Sequence, residues 1–140
     1  MKKILIILML IASFGTLVAC GSNDHIKETG DNSYSEKGYQ TITAEEAMEM
    51  MEKNDSYILL DVRTEEEFSE SHIESAMLIP DYEMREQAET KLPDKDALIL
   101  IYCRSGRRSA LAANELSDMG YTQVYDFGGI INWPYDTISE

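Results

Sequence analysis

In the stretch Leu100–Ala110, LIYCRSGRRSA, Cys103 closes an apolar run and Arg104, Arg107 and Arg108 follow it within five residues. A thiolate, not a thiol, is the nucleophile, and neighbouring guanidinium groups favour the thiolate form. Arginine also binds anions through several donors at once. Gly106, between the arginines, allows the backbone to close around a small ligand. A strand that ends at Tyr102 and a helix that begins near Arg108 or Ser109 would turn backbone N–H groups and a helix dipole toward the sulfur. The chemistry this spacing predicts is covalent catalysis on an anionic substrate, with Cys103 as nucleophile. Arg108, at the start of the helix, is the arginine expected to point inward. An inert buried cysteine beside solvent-facing arginines is the alternative, and it fits poorly with a chain that has 12 Lys plus Arg against 26 Asp plus Glu.

The second of the two cysteines, Cys20, follows Met1-Lys2-Lys3, an aliphatic run from Ile4 to Leu10, and the small-residue ending Leu17-Val18-Ala19. A positive segment, a short apolar segment and a small-residue site form an export signal. The apolar run falls short of the roughly 20 residues that span a bilayer. The segment resembles a bacterial lipoprotein signal, which implies cleavage before Cys20 and diacylglycerol on its sulfur. Two acyl chains anchor stably where one does not. The expected location is therefore extracytoplasmic, as a membrane-anchored lipoprotein of a bacterial cell envelope.

With Cys20 lipidated, Cys103 is the single thiol of the mature chain and has no intramolecular disulfide partner. There is no C-x-x-C pair, and His25 and His72 lie far apart, so no metal is expected. Loss of Lys2 and Lys3 leaves 10 cations against 26 anions, a formal charge of -16. Nucleic acid and anionic lipid headgroups would repel such a body, leaving the lipid on Cys20 as the link to the membrane.

These boundaries divide the chain into a signal segment (1–19), a lipidated cysteine with a flexible tether (20–39) and one domain (40–140). Ser22–Tyr39 is polar and lacks periodicity, and as a coil it would reach roughly 20 to 25 Å. Within the domain, helix and strand signals alternate. Thr43 to Glu46 form a capping box before a helix carrying Ala47, Met48 and Met51 on one face. Tyr57–Val62 reads as a buried strand, and Thr64 caps a short acidic helix ending near Phe68. Ala76–Ile79 is a strand stopped by Pro80, Tyr82–Lys91 a helix, and Ala97–Tyr102 a continuous apolar strand suited to the centre of a parallel sheet. A helix over Ser109–Met119 ends at Gly120, and Gln123–Phe127 supplies a last strand. This alternation predicts an open α/β sheet, mostly parallel, with helices on both faces and its ligand at the carboxyl ends of the strands.

From Gln40 to Trp133 the sequence resembles the rhodanese-like domains. The resemblance rests on Asp61, Arg63, Glu67, Phe68, His72, Ile73, Ile79 and Pro80 in LLDVRTEEEFSESHIESAMLIP, on YCRSGRRSALAANELSDMGY, and on Gly128, Gly129 and Trp133 in VYDFGGIINW. Ser71 and Ser75 stand where the family commonly has glycine, which bears on local turn geometry. The resemblance implies sulfur transfer without a cofactor: Cys103 takes a sulfane sulfur from a small anionic donor such as thiosulfate and passes it to cyanide or a thiol. The loop Arg104, Ser105, Gly106, Arg107 and Arg108 would hold the persulfide and attract the donor. A protein that accepts the sulfur is compatible with the same loop. Asp61 and Arg63 are expected in support, as an ion pair bracing the loop or in contact with substrate. His72 and Trp133 are expected to be structural. A phosphatase or arsenate reductase of the related fold would carry arginine where Ser109 stands, and a binding module without turnover would not need the cysteine.

Overall fold

The computed structural model describes residues 38–140. Among the described residues five strands and four α-helices follow one another: β1 (Gln40–Thr41), α1 (Ala44–Lys53), β2 (Ile58–Asp61), α2 (Glu65–Glu70), β3 (Met77–Leu78), α3 (Met84–Lys91), β4 (Ile99–Cys103), α4 (Arg107–Asp118) and β5 (Val124–Gly129). The strands form one sheet in the order β1-β5-β4-β2-β3, and every pairing between them is parallel. The fold is the expected α/β sheet with helices on both faces.

Local chemistry sets the helix starts. Thr43 and Thr64 each accept an N–H from the residue three positions on, and Glu46 and Glu67 reach back to the threonine N–H groups. These reciprocal bonds satisfy donors that a helix start leaves open. At the far end of α4, Gly120 takes a left-handed φ of 92°, and the Tyr121 N–H returns to Leu116 O at 3.1 Å. This is the helix ending predicted for Gly120.

Side chains alternate across each strand, so the central strands feed two cores. Leu60, Ile99, Ile101 and Cys103 pack with Met84, Ala88, Ala112, Ala113 and Leu116, on the face covered by α3 and α4. Leu59, Leu100 and Tyr102 pack with Ala44, Ala47, Phe127 and Trp133, on the face covered by α1. Cys103 therefore points toward the helix that follows it.

The boundaries differ from the sequence expectation in ways that matter for the site. β4 runs through Cys103 itself, and α4 begins at Arg107, earlier than Arg108 or Ser109. β1 is two residues long, too short for any periodicity, and exists because it pairs with Tyr125 and Asp126 of β5. Tyr39, at the end of the expected tether, is buried in the first core. The register of β4 on β5 passes from Ile101↔Asp126 to Cys103↔Gly129, so β5 carries an extra residue there. Such bulges re-aim backbone beside functional sites.

Candidate active site

Cys103 ends the central strand and is only 1% exposed. The chain then turns sharply through Arg104, Ser105 and Gly106, whose φ of 99° is in the left-handed region that glycine occupies without strain. That turn brings the Gly106 N–H to 3.1 Å from Cys103 Sγ. Burial by itself pushes the thiol pKa up. Hydrogen bonds from the Ser109 hydroxyl and N–H, and from the Gly106 and Ser105 N–H groups, outweigh it, and the thiol is held below its ordinary value. Donors of this kind favour the charged form of a group they face.

Two further residues brace this cradle from below. Ser109 is fully buried, and its hydroxyl lies 3.1 Å from Gly106 O and 3.3 Å from Gly128 O. A hydroxyl has one proton, so these carbonyls and the sulfur share a single donor. Asp126 is buried in β5 and accepts the Gly128 N–H at 2.9 Å. Burial raises its carboxyl pKa, opposed by the Ser109 hydroxyl and the Gly128 N–H. The extra residue in β5 sets Gly129 against the loop so tightly that a Cβ there would lie 2.4 Å from Arg104 O and 2.6 Å from Ser105 Cα.

The arginines divide. Arg108 reaches across to α2 and donates to both oxygens of Glu67, at 2.6 and 2.8 Å. The Glu67 carboxylate, and to a smaller extent the charges of Cys103 and Asp81, raise its pKa. Its guanidinium is thus already paired. Arg104 and Arg107 are exposed and take part in none of the ion pairs found among the described residues. Asp61 and Arg63 form the internal pair that was one of their two expected roles: Arg63 Nη2 lies 2.6 Å from Asp61 Oδ2 and donates to Ser71 O at 2.6 Å. Arg63 also lines a cavity of about 210 Å³ with Glu67, Glu70, Ser71, Arg104, Ile130 and Ile131.

His72 is buried, stacked on Phe68 at 3.8 Å, and bonded through Nδ1 to Phe68 O at 2.9 Å. Its backbone bridges to Ile138 of the C-terminal segment. Trp133 packs on Phe127 and Tyr135 in the second core. Neither residue lies among the groups that touch the sulfur. No cluster of three or more His, Cys, Asp or Glu side chains able to hold a metal occurs among the described residues. Cys20 lies outside them.

Sequence reasoning missed Glu67, Ser109 and Asp126 as site residues. Asp126 did leave a signal, as a lone acid inside an apolar strand. Ser109 left a weaker one, its place in the first turn of the helix behind the cysteine.

A profile of the rhodanese-like domain matches residues 43–134. The chain is 41% identical over 71 residues to Thiosulfate sulfurtransferase PspE of Escherichia coli (strain K12), which covers 51% of this chain and 68% of that protein. It is 32% identical over 96 residues to Thiosulfate sulfurtransferase GlpE of Coxiella burnetii (strain RSA 331 / Henzerling II), covering 68% of this chain and 87% of that protein. Among solved structures, a rhodanese with anions from E. coli superposes with a TM-score of 0.57 at 34% identity, over 61% of this chain and 100% of its own. The family profile spans both the Asp61–Arg63 brace and the Cys103 loop, and the chain belongs to the rhodanese-like domain family.

Proposed function

We propose that the chain is a sulfurtransferase that carries sulfane sulfur on Cys103. The observation that supports this most is the buried sulfur at a strand end with its pKa lowered, encircled by N–H and hydroxyl donors from Ser105, Gly106 and Ser109. Such a cradle suits a single negatively charged sulfur atom. The Cys103 thiolate attacks the outer sulfur of thiosulfate, the S–S bond breaks with its electron pair, and sulfite leaves. The acceptor, cyanide or a thiolate, then attacks the outer sulfur of the Cys103 persulfide, and Cys103 departs as thiolate. Covalent catalysis thereby splits one transfer into two displacements. Arg104 and Arg107, exposed at the loop, draw in the anionic donor, while Arg108 is held by Glu67. The test is the intact mass of the purified protein before and after thiosulfate. The parent gains one sulfur atom and Cys103→Ser gains none. A parent that takes up no sulfur would remove the proposal.

We further propose that the protein is a lipoprotein of a bacterial cell envelope, anchored through diacylglycerol on Cys20. The support is the sequence alone: Lys2 and Lys3, the apolar run, and LVAC. Cys20→Ser blocks processing and lipid labelling on this reading, and equal labelling of that variant would refute it.

A further inference from the structure

On the face of the sheet opposite the sulfur, α1, the turn before β3 and the segment after β5 border an open cavity of about 410 Å³. Tyr57, Trp133 and Tyr135 supply aromatic walls, with Met48 and Met51 of α1 beside them. The rings of Trp133 and Tyr135 lie 5.0 Å apart at 69°, so two π-systems meet at a corner. Glu52, Glu74 and Asp136 also line the cavity, and no lysine or arginine does. These three carboxylates are exposed and take part in none of the ion pairs found among the described residues, nor do they form a group able to hold a metal. Two features of the lining have no explanation in packing. Trp133 is 8% exposed, and its Nε1–H is a buried donor without an acceptor among the described residues, a state that native folds rarely leave without a role. Ser75, another lining residue, holds the left-handed φ of 69°, and strain of this kind clusters at ligand sites.

We propose that this cavity binds a small organic ammonium ion, a positively charged nitrogen carried on an apolar body. The faces of aromatic rings are electronegative and attract such cations, quaternary ones above all. The methionines accept the alkyl groups of the ligand, since their side chains adapt to irregular apolar shapes. Glu52, Glu74 and Asp136 supply the opposite charge, and the field of a chain of formal charge -14 concentrates cations at its surface. A cavity of this size falls within the range of about 300–1,000 Å³ typical of small-molecule sites. An anion such as thiosulfate is repelled from it. The cavity shares no residue with the Cys103 loop, so it is a second site, independent of sulfur transfer.

Trp133 is the single tryptophan of the chain, so its fluorescence reports on the site directly. The full chain is titrated at constant ionic strength with choline, with the uncharged isostere in which carbon replaces the quaternary nitrogen, and with magnesium chloride. The heat of binding is measured alongside. Choline should give a saturable response and bind about tenfold more tightly than the isostere. Tyr135 is 43% exposed, and Tyr135→Leu keeps an apolar wall and the tryptophan signal. That variant should lose about fivefold in choline affinity while taking up sulfur from thiosulfate as the parent does. Equal affinity of the parent for choline and its isostere would overturn the proposal, as would choline that saturates neither fluorescence nor heat. Magnesium that binds and displaces choline would assign the carboxylates to a metal ion and overturn it too. Phosphatidylcholine vesicles that change the fluorescence where free choline does not would assign the face to a lipid surface, with the same consequence.

Discussion

Replacing Glu67 with glutamine separates the charge of the Glu67–Arg108 pair from its geometry. The Arg108 guanidinium holds the Glu67 carboxyl down, burial opposes it, and the Thr64 N–H adds to the lowering, bringing the pKa from 4.5 to about 2. A gap of that size corresponds to about 3 kcal/mol of folding stability. The two side chains are 19% and 22% exposed, so water screens part of it, and about 1–2 kcal/mol is the expected loss at pH 7. Glutamine still accepts the Thr64 N–H and preserves the capping box, so the loss measures the charge. For a domain of this size the melting temperature should fall by about 5–10 °C. The sign of the pH dependence follows from a folded pKa below the unfolded one. The contribution is complete above pH 4.5, declines as pH falls, and is gone below about 2. Urea midpoints of parent and Glu67→Gln should therefore converge on acidification, with about two fifths of the neutral gap left at pH 3. Equal midpoints at pH 7, or a gap that persists unchanged at pH 3, would refute the reasoning.

Gly129→Ala forces a methyl group onto the Arg104 and Ser105 backbone and should cost about 1–3 kcal/mol with loss of sulfur transfer, measured by urea titration and thiocyanate release. Among the described residues, Ser75 is the non-glycine residue with a left-handed φ, 69°. Ser75→Gly should stabilise by about 0.5–1 kcal/mol, the relief of the side-chain clash outweighing the added freedom of the unfolded chain, and a lowered melting temperature would contradict this. Asp61→Ala leaves the Arg63 guanidinium buried without its partner and should cost about 3–5 kcal/mol by chemical denaturation. The alkylation rate of Cys103 by iodoacetamide should rise with a midpoint below the ordinary thiol value of about 8.5, and a midpoint above it would show that burial prevails over the donors.

Much of the fold was legible because it is written in contiguous residues. The capping box at Thr43, the cap at Thr64 and the stop at Gly120 depend on residues within a few positions of one another, and all three occur where the sequence places them. The apolar run YILLDV contains β2, and ALILIY contains all of β4 but its last residue, Cys103, since a strand covered on both faces needs unbroken hydrophobic residues. β1 left no such trace, because two residues have no period and owe their extended form to β5. The bridge from His72 to Ile138 is equally invisible in sequence, for it joins segments with no local signal of pairing.

For the site, the sequence by itself determined the loop: a cysteine at a strand end, a glycine three residues on, and a helix start behind it. The tertiary structure decided what each charge does. Within CRSGRRS only its place at the helix start sets Arg108 apart and nothing there names its partner, yet Arg108 is claimed by Glu67, 41 residues away, while Arg104 and Arg107 stay open to solvent. The support under the sulfur is likewise assembled from α4 and β5, where Ser109, Asp126 and Gly128 meet through hydrogen bonds that no local pattern encodes. Local conformation follows from neighbours along the chain, whereas the partner of a long charged side chain depends on which elements the sheet order sets side by side. Here β4 lies between β5 and β2, which brings the Cys103 loop between the Gly128–Gly129 turn and the start of α2.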